Sequence, residues 1–204
     1  MGILSASVSL TRYRIVEKVP DSLWPNIPDL LIKHSFQEIE NSAEERSFGW
    51  TCLDDMLDTN WETAAPKKGS YLTFALRLDT RRVPPAVLKK HYTLELEKLK
   101  NSMQEQGKKF VSKEQKKELK DQVRLKLLAK TLPVPAQFDV FWNVGNNRVY
   151  LASTTDKIRQ MFEELFTQSF ELHLEAQDPY FLALNELGAE RSSELNSFEP
   201  SLFV

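Results

Sequence analysis

Residues 84–131 constrain this chain more than any other stretch, because two helix signatures stand there back to back. Pro84 and Pro85 suit a first helical turn, where a missing N–H goes unnoticed. Leu88, Tyr92, Leu96, Leu99 and Met103 then recur at spacings of four, four, three and four, which is one narrow apolar seam. Gly107 ends the run. Ser112 with Gln115 three residues on is a capping-box signature. The helix it opens is expected to run to about Thr131, with Leu119, Val123 and Leu127 as its seam. Two helices of about 20 residues with a short linker fold back on each other as an antiparallel hairpin. Seams this narrow do not suit a core, so the hairpin is expected to project from the rest of the molecule.

The same stretch carries most of the positive charge. Residues 81–130 hold fifteen Lys and Arg against six Asp and Glu, although the whole chain has a net charge of -2. A chain can be acidic overall and still present a basic surface, and a polyanion responds to the local field. Lys109, Lys113, Lys116, Lys120 and Arg124 follow spacings of four, three, four and four, which keeps them on one helical face beside the apolar stripe. A solvated lysine-rich face is the plain reading of such a row. The sharper one is a surface that tracks phosphates, to which Lys89, Lys108, Lys117 and the strand residues Arg12 and Arg14 are added as candidates.

The remainder reads as an α+β body. Ala6, Val8 and Leu10 alternate with polar residues before Tyr13 and Ile15 take up the other parity, so a strand with a bulge is expected over 4–16. Asp21 or Ser22 can cap a helix to Ser35, with Pro25 and Pro28 confining its regular part to the second half. Phe48-Gly49-Trp50 opens a short strand followed by a long loop to Lys68. From Ser70 to Arg82 the alternation is clear, with Leu72, Phe74, Leu76 and Leu78 on one face. Pro133 and Pro135 mark the return from the hairpin. Gly145-Asn146-Asn147 between Phe138–Asn143 and Arg148–Ser153 is a β-hairpin signal. Thr154 or Thr155 is placed to cap a helix carrying Ile158, Met161, Phe162, Leu165 and Phe166, and a strand is expected at Phe170–Leu174. The expected organisation is a body of residues 1–82 and 133–187, a basic hairpin of 83–132, and a flexible acidic tail of 188–204. The fold class is α+β, antiparallel sheets packed with helices beside the projecting hairpin.

Several chemistries lack the residues they need. His34, His91 and His173 share no metal-ligand spacing, and Cys52, the one cysteine, excludes an intrachain disulfide. Neither a G-x-x-x-x-G-K-[ST] nor a G-x-G-x-x-G run exists, so ATP-driven chemistry is not expected. A metal-dependent nuclease requires closely placed carboxylates. Asp54, Asp55 and Asp58, with Glu62 following, form one candidate cluster, more simply read as a solvated loop. Glu114-Gln115-Lys116 and Glu118-Leu119-Lys120 mimic the E-x-K fragment of some nucleases, but on an exposed helix with no second carboxylate placed. No catalytic residue, metal site or cofactor is assigned. Met1–Arg14 alternates rather than forming an apolar block, and no run approaches the roughly 20 apolar residues of a membrane span, so a cytoplasmic protein is expected.

Phe48-Gly49-Trp50, a strand, and then Pro84-Pro85-Ala86-Val87-Leu88-Lys89 resemble the N-terminal part of the RdgC family of recombination-associated proteins. Leu96-Glu97-Lys98-Leu99 and the run from Gln106 to Asp121 are similar to that family's basic helical hairpin. Leu127-Leu128, Phe141-Trp142-Asn143 and Leu151-Ala152-Ser153 continue the series in order, over about residues 4–176. The resemblance implies a non-enzymatic, nucleoid-associated DNA-binding protein, a ring-like homodimer around duplex DNA that restrains RecA-driven recombination. The family's name is also coupled to exonuclease activity. This chain is shorter than the usual member, whose C-terminal third helps close the ring, and Leu132 stands where the family tends to place an aromatic residue at a dimer gate. DNA binding is therefore the firmer expectation. The reading carried forward is a sequence-nonspecific duplex-DNA-binding protein, not an enzyme. Its rivals are a protein-interaction module acting through the hairpin and a metal-dependent exonuclease.

Overall fold

The computed structural model describes residues 5–40, 42, 44–105 and 110–198. Seven strands form a sheet in the order β2 (Arg46–Thr51), β4 (Tyr71–Thr80), β5 (Val134–Asn143), β6 (Arg148–Leu151), β1 (Thr11–Ile15) and β7 (Leu174–Ala176), with β3 (Lys67–Lys68) paired to β4. The β1–β6, β1–β7, β3–β4 and β5–β6 ladders are antiparallel. The helices are α1 (Leu23–Lys33), α2 (Pro85–Glu105), α3 (Lys113–Leu128), α4 (Asp156–Phe170), α5 (Pro179–Leu187) and α6 (Ser192–Ser197). Helices and an antiparallel sheet on one chain make this an α+β protein, as the patterning implies.

Two compact units divide the chain: Met1–Phe36, Gly49–Arg77 and Gln137–Val204 in the first, and Gln37–Phe48 and Leu78–Ala136 in the second. Aromatic packing organises the first. Tyr13, Trp50, Phe74 and Trp142 are fully buried on the strands, and Phe162 and Phe166 fully buried on α4. Trp142 lies 5.3 Å from Phe166 and Trp50 5.0 Å from Phe74, ring centre to ring centre. Buried Tyr and Trp need a polar partner. Trp50 has one, because its Nε1 donates to Ser169 Oγ at 2.8 Å, which in turn donates to the Leu165 carbonyl of the preceding helical turn at 2.7 Å.

Several boundaries differ from the sequence pattern. Strand β1 starts at Thr11 rather than near residue 4, and Leu10 is 42% exposed. Its partner β6 ends opposite Thr11, at Leu151. Both prolines lie inside α1, which is regular from Leu23. Pro25 falls in the first turn, where no N–H is required. Phe170 is the last residue of α4 and not the start of a strand. Phe162, Phe166 and Phe170 stack at i, i+4 and i+8 on the buried face, and tertiary contact carries the helix one turn past its expected end. Glu171 then takes the left-handed conformation, φ 56°, and β7 follows. Thr155 occupies the N-cap of α4, but its side chain makes no capping bond. Its own N–H donates instead to Ser153 Oγ at 3.3 Å.

In the second unit, α2 and α3 pack along the anticipated seams. Met103, Val123 and Leu128 are buried, and Leu88, Tyr92, Leu96, Leu99, Leu119 and Leu127 half-buried. The capping box is complete: Ser112 Oγ accepts from Gln115 N at 3.1 Å, and Gln115 Oε1 from Ser112 N at 3.0 Å. Helix α3 ends at Leu128, short of Thr131, whose hydroxyl donates to the Leu127 carbonyl at 2.8 Å. Gly107, the expected stop of α2, lies outside the described residues.

Candidate nucleic-acid interface

Helix α3 presents five of its six cations along one face. At 100° per residue, Lys113, Lys116, Lys117, Lys120 and Arg124 fall within an arc of about 100°, and all five are exposed. None of the four lysines forms an ion pair with a described residue. Like charges at i, i+4 weaken an isolated helix. Two features offset that here, the complete capping box and Glu114 in the first turn, where a negative charge suits the helix dipole. Lys89 is exposed in the first turns of α2. Lys108 and Lys109 lie outside the described residues.

Not every cation of the basic segment is available. Arg124 is held by Glu45, its Nη2 3.0 Å from both carboxylate oxygens. Arg81 is buried, and its guanidinium donates to the carbonyls of Ile39, Glu40 and Ser42, each at 2.6 Å. Its backbone N–H donates to the Glu45 carbonyl at 2.8 Å. Sequence reading missed Glu45 because its partner stands 79 residues away.

Arg12 and Arg14 belong to the first unit, the lysines to the second. Both arginines lie on the sheet face opposite Tyr13 and Ile15, and Arg14 pairs with Glu175 at 3.2 Å.

The carboxylate cluster has structural work. Asp54 is ion-paired to Lys68. Asp55 Oδ1 accepts from Leu57 N at 2.9 Å. Asp58 accepts from the amides of Asn60 at 3.0 Å, Glu62 at 3.2 Å and Thr63 at 2.7 Å, closing the loop on itself. Partial burial would raise the Asp58 pKa, but these donors outweigh it and hold the carboxyl below its ordinary value. Among the described residues, no group of three His, Cys, Asp or Glu is placed to hold a metal ion, and no helix is long and apolar enough to cross a membrane.

A depressed carboxyl pKa contributes stability that is present above the unfolded value and lost as pH falls through the folded one. Acidification below the usual carboxylate range is therefore expected to lower the melting temperature of the wild type more than that of Asp58→Asn. Melting curves from neutral to acid pH check this, and parallel curves would show that Asp58 contributes nothing to the acid limb.

No curated protein matches the chain. The sequence model of one family, described as "Putative exonuclease, RdgC", matches residues 9–179 and so spans the sheet, the basic hairpin and α4. The order of motifs noted in the sequence and this match agree: the chain belongs to the RdgC family.

Proposed function

We propose that this protein binds duplex DNA without sequence preference, as a nucleoid-associated homodimer that modulates recombination by restraining RecA and does not itself cut DNA. The observation that carries the reading is the row of exposed lysines on α3, which have no ion-pair partner among the described residues. Lysine ammonium groups meet phosphates as point charges, which positions a duplex but reads no base. Neutralised phosphates release counterions, and this term supplies most of nonspecific affinity. A shared two-fold axis would double the number of such rows.

The family's description as an exonuclease favours a second reading, in which the hairpin holds DNA for cleavage. Against it stand the carboxylates best placed in the sequence for metal binding, since Asp54 and Asp58 are committed to Lys68 and to the loop backbone.

One titration separates these. An end-labelled duplex incubated with the protein and Mg²⁺ or Mn²⁺ is expected to be retained at full length, and unrelated duplexes should compete equally per base pair. Degradation from an end makes the protein an exonuclease, whereas failure of unlabelled duplex to compete removes the DNA-binding reading in favour of a protein-interaction module. Light scattering at tens of micromolar protein is expected to give twice the chain mass of 23.6 kDa, and a strictly monomeric mass rules out the dimer.

A further inference from the structure

The basic row of α3 ends against a carboxylate. Arg124 lies four residues beyond Lys120 on the same face, and its Nη2 donates to both oxygens of Glu45 at 3.0 Å. One nitrogen shared between two oxygens is a looser clasp than the two parallel bonds of a fork-to-fork pair. Both partners also face water, with 52% of the Arg124 side chain and 50% of the Glu45 side chain accessible. Exposed pairs of this kind hold weakly and are screened by salt. A second anion can therefore compete for Arg124.

Glu45 is nonetheless placed there by the fold. It directly precedes β2, which lies beside β4 in the sheet. Its carbonyl accepts the N–H of Arg81, the residue that follows β4, at 2.8 Å. With its backbone held in this way, Glu45 has less freedom to lose on pairing than a glutamate on a loose loop. Glu45, Arg81 and Arg124 belong to the same compact unit, although Glu45 and Arg124 stand 79 residues apart. Among the described residues, no other carboxylate pairs with a cation of this face. Its two oxygens stand where the oxygens of a phosphate would meet the guanidinium.

We infer that Glu45 is an internal competitor for phosphate, which occupies Arg124 in the free protein and so limits the affinity of the α3 face for a duplex. This rests on the duplex reading proposed above and adds to it a residue that restrains binding. A phosphate reaching Arg124 must displace the Glu45 carboxylate and then lie close to it, and the two anions repel. Without that carboxylate, Arg124 joins the four lysines as a fifth phosphate contact.

The test uses the full chain, a fluorescent duplex and a salt series. Glu45→Gln is expected to bind about fivefold more tightly at low salt, equivalent to about 1 kcal/mol. Its log–log salt dependence should steepen by about 0.9, the share of one added phosphate. Glu44→Gln removes the same charge from the neighbouring exposed residue and is expected to change affinity by less than about twofold. In an Arg124→Gln background the gain from Glu45→Gln should disappear. Equal gains in the two glutamine variants, or a gain that survives without Arg124, overturn the inference and leave duplex binding intact. So does an unchanged slope in Glu45→Gln when the wild type binds duplex. A wild type that binds no duplex removes the duplex reading itself, and this inference with it.

Discussion

Replacing Lys113, Lys116, Lys117 and Lys120 together by Gln is expected to weaken binding to every duplex alike and to flatten the log–log salt dependence by about 3.6, at roughly 0.9 for each phosphate no longer neutralised. Folding should survive, because these side chains are exposed and leave no described partner behind. Relief of their mutual repulsion keeps the stability change within about 0.5 kcal/mol. Arg124→Gln is the internal control. Its guanidinium is already engaged by Glu45, so its removal is expected to change the slope by less than about 1. Fluorescence anisotropy across a salt series reads both numbers. An unchanged slope in the quadruple variant would place the duplex site away from α3.

The second large effect is on the fold. Gly49→Ala is expected to destabilise the protein by about 3 kcal/mol, the upper range for overpacking a filled site. A Cβ at Gly49 would come within 2.5 Å of the Phe36 Cα and N and 2.7 Å of the Ser35 carbonyl carbon. These are backbone atoms, which cannot rotate out of the way as a side chain could. The two segments are also tied, Phe36 N to the Trp50 carbonyl at 2.9 Å and Trp50 N to the His34 carbonyl at 3.1 Å. A methyl group must push these hydrogen bonds apart next to fully buried Trp50. For a chain of this size, about 3 kcal/mol corresponds to a melting temperature lower by roughly 10 °C. A calorimetric scan unchanged from wild type would mean that the Ser35–Phe36 segment is free to move. The same geometry explains the glycine of Phe48-Gly49-Trp50 physically, as a place where another backbone passes too close for a side chain.

The hairpin was the most legible part of the sequence. Its seam residues, its capping box and the charge of its outer face follow from spacings of three and four, which act within a few turns of one helix. Strand ends were less legible. Residues 5–10 alternate as a strand does, yet β6 supplies no partner beyond Leu151. Phe170 sits among residues that suit a strand, yet the aromatic layer of Trp50, Trp142 and Phe166 draws it into α4. In both cases the presence or absence of a distant partner overrode local preference.

Local spacing thus settled that a helical hairpin exists, where it is capped, and that its outer face is positive. Which of the cations stay available was a tertiary decision. Arg81 is consumed by the carbonyls of Ile39, Glu40 and Ser42, and Arg124 by Glu45. The row that Arg12, Tyr150 and Phe141 form across β1, β6 and β5 could not be read from the sequence either, because it depends on the register of three strands drawn from opposite ends of the chain. Helical spacing repeats within a few residues, so a sequence carries it directly. Register and ion pairing join residues far apart along the chain, and a slip of one residue would turn every side chain of a strand to the other face.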